Sequence, residues 1–249
     1  MIKIAVVGTG KLGSTLMKSI QKREGVSLSN VIARPGNSFV GGDVSQIIGG
    51  ADTGLIVLDD IEAAGDCDIF IDCTSAAAFM ENNLPKYKLK GKPLVIATTA
   101  FSDDDMEAIR EYAQQQPVFM TGNFSVALHD FIEVIRFAAK KLGSDTDVQI
   151  IEYHHNQKKD APSGTALMIR DALVESNPLF TPENVDISSV RGGNIFGEHE
   201  VIFANSKDEV TTFKHQVSSR ETFAEGGVDV TCWLVTRENG LYSMDDFCK

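Results

Sequence analysis

Ile2-Lys3-Ile4-Ala5-Val6-Val7-Gly8-Thr9-Gly10-Lys11-Leu12-Gly13, at the start of the chain, decides the fold. Ile2 to Val7 is a short run rich in β-branched residues and bounded by Gly8, after which Leu12, Leu16 and Ile20 recur at helical spacing. That pattern predicts a buried strand feeding a helix. Gly8-Thr9-Gly10-Lys11-Leu12-Gly13 fits G-x-G-x-x-G at the junction. The first Gly permits the tight turn, the second lets backbone approach a pyrophosphate, and the third lets helix and strand pack closely. The pyrophosphate would sit where the helix start exposes unpaired N–H groups. Gly8, Thr9, Gly10, Lys11, Leu12 and Gly13 are therefore read as a dinucleotide-binding turn, with a structural glycine turn as the rival.

Working outward, apolar runs return at Leu55–Leu58, Ile69–Ile71, Leu94–Ala97 and Val118–Met120, with helix-compatible or turn-rich stretches between most of them. Strands alternating with helices imply a parallel sheet covered on both faces. Ser102 followed by Asp105 marks a helix start of the capping-box kind. The acidic run Asp103-Asp104-Asp105 suits the positive end of that helix. The pattern changes after about Ser125. A long helix is predicted over Val126–Leu142, followed by alternating strands at Val148–His154, Val185–Val190, His199–Ala204 and Glu209–Val217. Such alternation suits an antiparallel or mixed sheet with one wetter face. The fold class expected is α/β, a Rossmann-type dinucleotide-binding domain with an inserted α+β domain. Residues 1–125 plus 220–249 would form the first, and residues 126–219 a substrate-binding and oligomerisation domain.

Composition bounds the function. The 249 residues are 43% hydrophobic and 23% charged, ordinary globular usage that supports a real core. With 23 basic and 35 acidic residues the net charge is −12, which speaks against a nucleic-acid surface. The four cysteines, Cys67, Cys73, Cys232 and Cys248, lack zinc-site spacing and predict a reduced, cytoplasmic protein. No signal-peptide pattern or bilayer-length apolar stretch is present, so no membrane partner is expected. His154, His155 and Asp160 lie close together but do not offer the i, i+4 helical face of a zinc motif. No metal site is predicted.

About 20 residues past the glycine turn, a site preferring NADH places an acid on the ribose hydroxyls. This chain has Val31-Ile32-Ala33-Arg34-Pro35 there. Arg34 could pair with a 2′-phosphate through its planar fork, so NADPH is the expected cofactor and NADH remains possible. The bland alternative is a solvated Arg.

Glu152-Tyr153-His154-His155-Asn156-Gln157-Lys158-Lys159-Asp160-Ala161-Pro162-Ser163-Gly164-Thr165-Ala166 follows a strand and precedes a helix. Two imidazoles, two ammonium groups and a helix N-terminus then lie close together, an arrangement that favours a carboxylate-bearing ligand. Nearby cations lower the pKa of Lys or His, which suits proton donation. Glu152 either orients a neighbour or faces its strand partners. Trp233, Phe131, Phe137, Phe203 and Phe213 are read as packing residues.

This segment closely resembles the dihydrodipicolinate reductase family pattern E-x-H-H-x-x-K-x-D-A-P-S-G-T-A and matches it at every fixed position. Phe70-Ile71-Asp72-Cys73-Thr74, Thr98-Thr99, Gly122-Asn123-Phe124-Ser125-Val126, Arg191-Gly192-Gly193, Gly197-Glu198-His199 and Ser218 to Ala224 extend the likeness. The resemblance implies hydride transfer from a nicotinamide to a cyclic imine dicarboxylate in lysine and diaminopimelate biosynthesis, giving tetrahydrodipicolinate. It implies His154 and Lys158 as proton-handling groups, and His155, Gly164 and Thr165 as carboxylate contacts with Ser163 and Lys159 beside them. Ala97, Thr98, Thr99, Gly122, Asn123 and Phe124 would line the cofactor with Arg34 and the glycine turn. A homotetramer paired through the inserted domains, closing over substrate by hinges near 123–126 and 218–220, is the expected assembly. Ala97 and Ala100 stand where the family has Gly, and the acid before Arg34 is missing. Another nicotinamide reductase, or a cofactor sensor without turnover, are the alternatives.

Overall fold

The computed structural model covers all residues from Met1 to Lys249. The chain forms two compact units, one of Met1–Phe124 with Glu221–Lys249 and one of Ser125–Arg220.

The first unit begins with β1 (Ile2–Val7), α1 (Lys11–Lys22), β2 (Val26–Ile32), α2 (Ser45–Ile48), β3 (Val57–Leu58) and β4 (Ile69–Asp72). It continues through α3 (Ala76–Ala78), a π-helical turn at Phe79–Asn83, α4 (Leu84–Lys90), β5 (Leu94–Ile96), α5 (Asp103–Ala113) and β6 (Pro117–Met120). The second unit holds α6 (Val126–Leu142), β7 (Thr146–His154), α7 (Gly164–Ser176), β8 (Val185–Arg191), β9 (Gly197–Asn205) and β10 (Val210–Val217). The chain then returns with α8 (Glu221–Leu234), β11 (Gly240–Tyr242) and α9 (Met244–Phe247).

The first unit's sheet is seven-stranded in the order β11-β6-β5-β4-β1-β2-β3, and its paired strands run parallel. Period-two alternation explains why helices cover both faces. Ile4 and Val6 join one apolar cluster with Leu16, Met17 and Ile20 of α1 and Val228 of α8, whereas Ala5 and Val7 join another with Tyr87 and Ile109. Each fully buried Leu, Ile or Met contributes about 1.5–3 kcal/mol of apolar burial. The expected start of α5 is present with both capping-box bonds between Ser102 and Asp105. Sequence reading marks neither Val26–Ile32 nor Gly240–Tyr242 as a strand. The first mixes Ser and Asn into its run, and the second is three residues long, so each takes its strand identity from its neighbour in the sheet. No helix is long and apolar enough to cross a membrane.

The second unit's sheet has the order β10-β9-β7-β8, with β7 and β8 parallel and the other two pairings antiparallel. Val148 and Ile150 of β7 face the same apolar cluster as Val201 and Phe203 of β9, under α6 and α7. Two residues further along β7 the alternation continues with Glu152 and His154, and β9 continues backwards to His199 and Gly197, all buried. An apolar core therefore becomes a polar one along the same sheet face. Phe131 and Phe213 pack on this core, but Phe137, expected to pack, is 63% exposed. It lies on the solvent side of α6 with Lys141 over its ring.

Candidate active site

In the first unit the site is shaped by backbone. Gly8 has φ of +109°, and a Cβ there would lie 2.9 Å from the carbonyl oxygen of Cys73. A Cβ on Gly13 would lie 2.0 Å from the carbonyl oxygen of Gly8, so only glycine lets α1 start this close to β1. Gly10 caps α1 without a side-chain hydrogen bond, and no acid stands in the first turn. The helix thus begins with its N–H groups free of side-chain caps, a donor set suited to a pyrophosphate. The strand order reverses beside β1, between β4 and β2, which is where open parallel sheets bind nucleotides. The residues present fit a nicotinamide dinucleotide.

Around this turn, Arg34 is exposed just beyond β2 in a turn closed by the Asn37 amide on the Arg34 carbonyl. Lys11 is exposed, and Thr9 and Leu12 are half-buried. Thr98 is buried and its hydroxyl donates to the Thr74 carbonyl, whereas Thr99 is exposed and lies against Gly122, where a Cβ would be 3.0 Å from its Cγ2. Ala97 and Asn123 are half-buried. Phe124 is a core residue, 2% exposed and packed with the α1 and α8 cluster, so its ring is committed to packing. Ala100 adopts φ of +66°, a conformation that disfavours a side chain.

Nothing in the local sequence pattern gives Asp72 a role. Its fully buried carboxylate accepts from the Thr74 amide and hydroxyl, the Asn83 amide and the Tyr87 hydroxyl. Burial pushes its pKa up against those bonds. The network fixes Cys73 and Thr74 beside Gly8 and, through Thr98, ties the ends of β4 and β5.

In the second unit the site is built from side chains on three strands and a turn. Glu152 and His154 are two residues apart on β7 and share a face. Glu152 Oε2 pairs with His154 Nδ1, while Oε1 accepts from Arg191 Nη2 at 2.6 Å and from the Ser163 amide at 3.2 Å. Arg191 stands beside His154 in the register of β7 and β8, and also donates to the Asp160 carbonyl. Burial opposes the charge of Glu152, but hydrogen bonds from Arg191, Ser189 and His154 prevail and hold its pKa down to about 2. His154 is driven below the usual histidine range by desolvation, which outweighs its Glu152 partner, with Lys158 and Arg191 adding repulsion. His199 packs edge-on against His154, and burial holds its pKa down to about 3.

β7 ends at His154, and a turn closed by the Lys158 amide on the His155 carbonyl brings Lys158 back. Lys158 Nζ is 2.9 Å from Asp160 Oδ2. His155 is half-buried and Lys159 exposed. Past a cis Ala161–Pro162 peptide, Ser163 caps α7 by accepting from the Ala166 amide. Ser163 is buried, its hydroxyl also meets His199 Nε2 and its amide is given to Glu152, so its polar groups are spent inside the protein. Gly164 is exposed and Thr165 half-buried at the start of α7, whose first turn carries no acid. The sequence alone gives Arg191 and His199 no role and leaves two roles open for Glu152. The i, i+2 spacing of Glu152 and His154 was the legible signal; the other two depend on sheet register.

Two family models together span nearly all of the chain. The model for the N-terminus of dihydrodipicolinate reductase matches residues 2–124, and that for its C-terminus residues 127–248. The chain belongs to the dihydrodipicolinate reductase family. It is an NAD(P)H-dependent oxidoreductase acting in lysine and diaminopimelate biosynthesis. Among solved structures, it is similar to a dipicolinate-bound dihydrodipicolinate reductase from Paenisporosarcina sp. TG-14, at 23% identity and TM-score 0.77, covering 98% of this chain and 97% of that one. An amine dehydrogenase from Mycobacterium smegmatis is 14% identical with TM-score 0.66, covering 98% and 95%. A probable dehydrogenase from Thermotoga maritima is 10% identical with TM-score 0.67, covering 99% and 92%. These structural likenesses speak to the fold of this reductase family member; its activity follows from the family.

Proposed function

We propose that the family reaction, reduction of 4-hydroxy-tetrahydrodipicolinate or its dehydrated form to tetrahydrodipicolinate, is carried out with His154 and Lys158 handling the proton. The observation that carries this reading is their placement beside the acid-free start of α7, a natural seat for a carboxylate. Gly164 and Thr165 would meet one carboxylate of the substrate through that helix start, with His155 and Lys159 adding donors. Ser163 supports the turn from inside. A related reductase was solved with dipicolinate bound, which agrees with a small cyclic dicarboxylate. A nicotinamide dinucleotide held at the Gly8–Gly13 turn would supply the hydride. The hydroxylated ring must first lose its hydroxyl as water. In the dehydrated, conjugated ring the imine electron pair would move away from the carbon that receives the hydride, and Lys158 or His154 would deliver a proton to the developing enamine. Lys158 also offsets the negative charge of the ligand, a contribution that strengthens as water leaves the site.

NADPH is the preferred cofactor in this reading, because Arg34 stands exposed after β2 where an acid would favour NADH. NADH remains usable. The open face of the second unit's sheet, with Val190 40% and Val210 65% exposed, supports a homotetramer formed through that face. Four free cysteines fit a cytoplasmic setting.

Steady-state assays with freshly generated substrate test the assignment. Lys158→Ala is expected to lower kcat by about 10²- to 10⁴-fold with an unchanged melting temperature, and Arg34→Ala to erase the preference for NADPH. Near-normal turnover in Lys158→Ala refutes its role, and an unchanged cofactor ratio refutes that of Arg34. Light scattering that returns a monomer or dimer refutes the tetramer.

A further inference from the structure

We infer that Glu152 is a positioning residue that holds His154 in one tautomer, with the proton on Nδ1 and the lone pair on Nε2, and that Arg191 and the Ser163 amide fix Glu152 for this purpose. The inference rests on the proposed role of His154. The two carboxylate oxygens have separate tasks. Oε2 faces His154 Nδ1, and an ionised carboxylate only accepts, so Nδ1 must carry the hydrogen. Oε1 is taken by two donors, Arg191 Nη2 and the Ser163 amide, which prevent the carboxylate from turning. Both neighbours come from fixed elements, Arg191 from the paired strand β8 and Ser163 from the cap of α7.

The other ring nitrogen is the one left for chemistry. Nε2 lies beside Gly197, where a Cβ would approach it to 3.3 Å. The groups that face the ring are Glu152 on its own strand, Arg191 on β8, His199 on β9 and Lys158 from the turn. Burial and the charges of Lys158 and Arg191 raise the cost of an imidazolium, His199 packs against the ring, and Glu152 lowers that cost. When Nε2 takes up a proton, Glu152 is therefore the group that stabilises the cation, and when Nε2 gives it up the ring returns to the same tautomer. Because the Ser163 amide shares the same carboxylate, one residue also couples the imidazole to the turn that starts α7.

Glu152→Gln separates positioning from packing, since it keeps the shape. Arg191 and the Ser163 amide both donate, so the Gln oxygen must take the Oε1 position and its NH2 must face His154 Nδ1. That makes Nδ1 the acceptor and moves the proton to Nε2. In ¹⁵N spectra of the imidazoles, wild-type His154 is expected as the Nδ1–H form and the variant as the Nε2–H form. Turnover should fall about 10- to 100-fold with KM for NADPH unchanged, and the His154 titration should move to lower pH because the carboxylate charge is gone. Glu152→Asp, with a shortened but charged carboxylate, should recover part of the loss. A wild-type spectrum with His154 protonated on Nε2 overturns the inference whether or not any variant folds. Wild-type kcat and pH profile in folded Glu152→Gln overturn it as well. Normal turnover in His154→Ala would instead remove the role assigned to His154 while leaving the tautomer intact.

Discussion

Two helices begin at the two candidate sites, and they begin differently. Helix α1 starts at Gly10 with no side-chain cap and packs so tightly that Gly13 meets the carbonyl of Gly8. Helix α7 starts at Ser163, whose hydroxyl caps the Ala166 amide and whose own amide goes to Glu152, while Gly164 has no neighbour within 4 Å of where a Cβ would lie. The first site is made from backbone and tolerates no added atom at Gly8 or Gly13, where a Cβ would meet carbonyl oxygens. The second is made from side chains anchored on β7, β8 and β9, and its glycine has room.

Alanine at the two glycines gives the largest test of that contrast. Gly13→Ala must push backbone apart, so it is expected to cost about 1–3 kcal/mol of stability and to weaken NADPH binding at least about tenfold, read by urea unfolding and fluorescence titration. Gly164→Ala should leave stability unchanged or slightly raised, since Ala is the better helix former. Equal losses at the two positions would erase the distinction.

A smaller effect separates the units by pH. His199 is held near 3 by burial against an ordinary value of 6.5, so below 6.5 the unfolded chain binds a proton that the folded chain refuses. Stability therefore falls with acidification, by about 1.4 kcal/mol per pH unit for one fully coupled proton. His154 acts in the same direction. Glu152, depressed to about 2, adds its own loss only below its ordinary range near 4.5. Urea unfolding between pH 7 and about 5 should show this slope, and His199→Gln, which can still meet Ser163, should flatten it. A slope as steep in the variant as in the wild type would place the acid sensitivity outside His199.

The smallest effect belongs to the first unit. Ala100 sits at φ of +66°, so Ala100→Gly should raise stability by about 0.5–1 kcal/mol. Ala97→Gly, at a residue without positive φ, should not. Differential scanning of both variants distinguishes relief of backbone strain from a general effect of glycine near the cofactor turn.

Much of this was legible before any coordinates. The strand, turn and helix around Gly8 to Gly13 are local, so their pattern survives in the order of residues. The same holds for the Ser102 capping box and for the long helix Val126–Leu142, whose bounds agree with the structure. The alternation of β7 placed Glu152 and His154 on one face. Other assignments needed the fold. Phe124 and Ser163 read as ligand contacts because they lie in motifs, yet one ring fills the core and the other residue's polar groups are satisfied internally. Nothing in their own segments announces that Arg191, 39 residues from Glu152, reaches its carboxylate, or that His199 lies under His154.

The sequence by itself determined the class of fold, the backbone-built nucleotide turn and the polar segment from Glu152 to Ala166. Those features rest on interactions within a few residues, which spacing and residue type record directly. Only the tertiary structure decided which carboxylate orients His154, which cation restrains that carboxylate, and how Asp72 braces the nucleotide turn. These partners meet through strand register and burial, and a buried charge must find its hydrogen bonds wherever the fold brings them within reach.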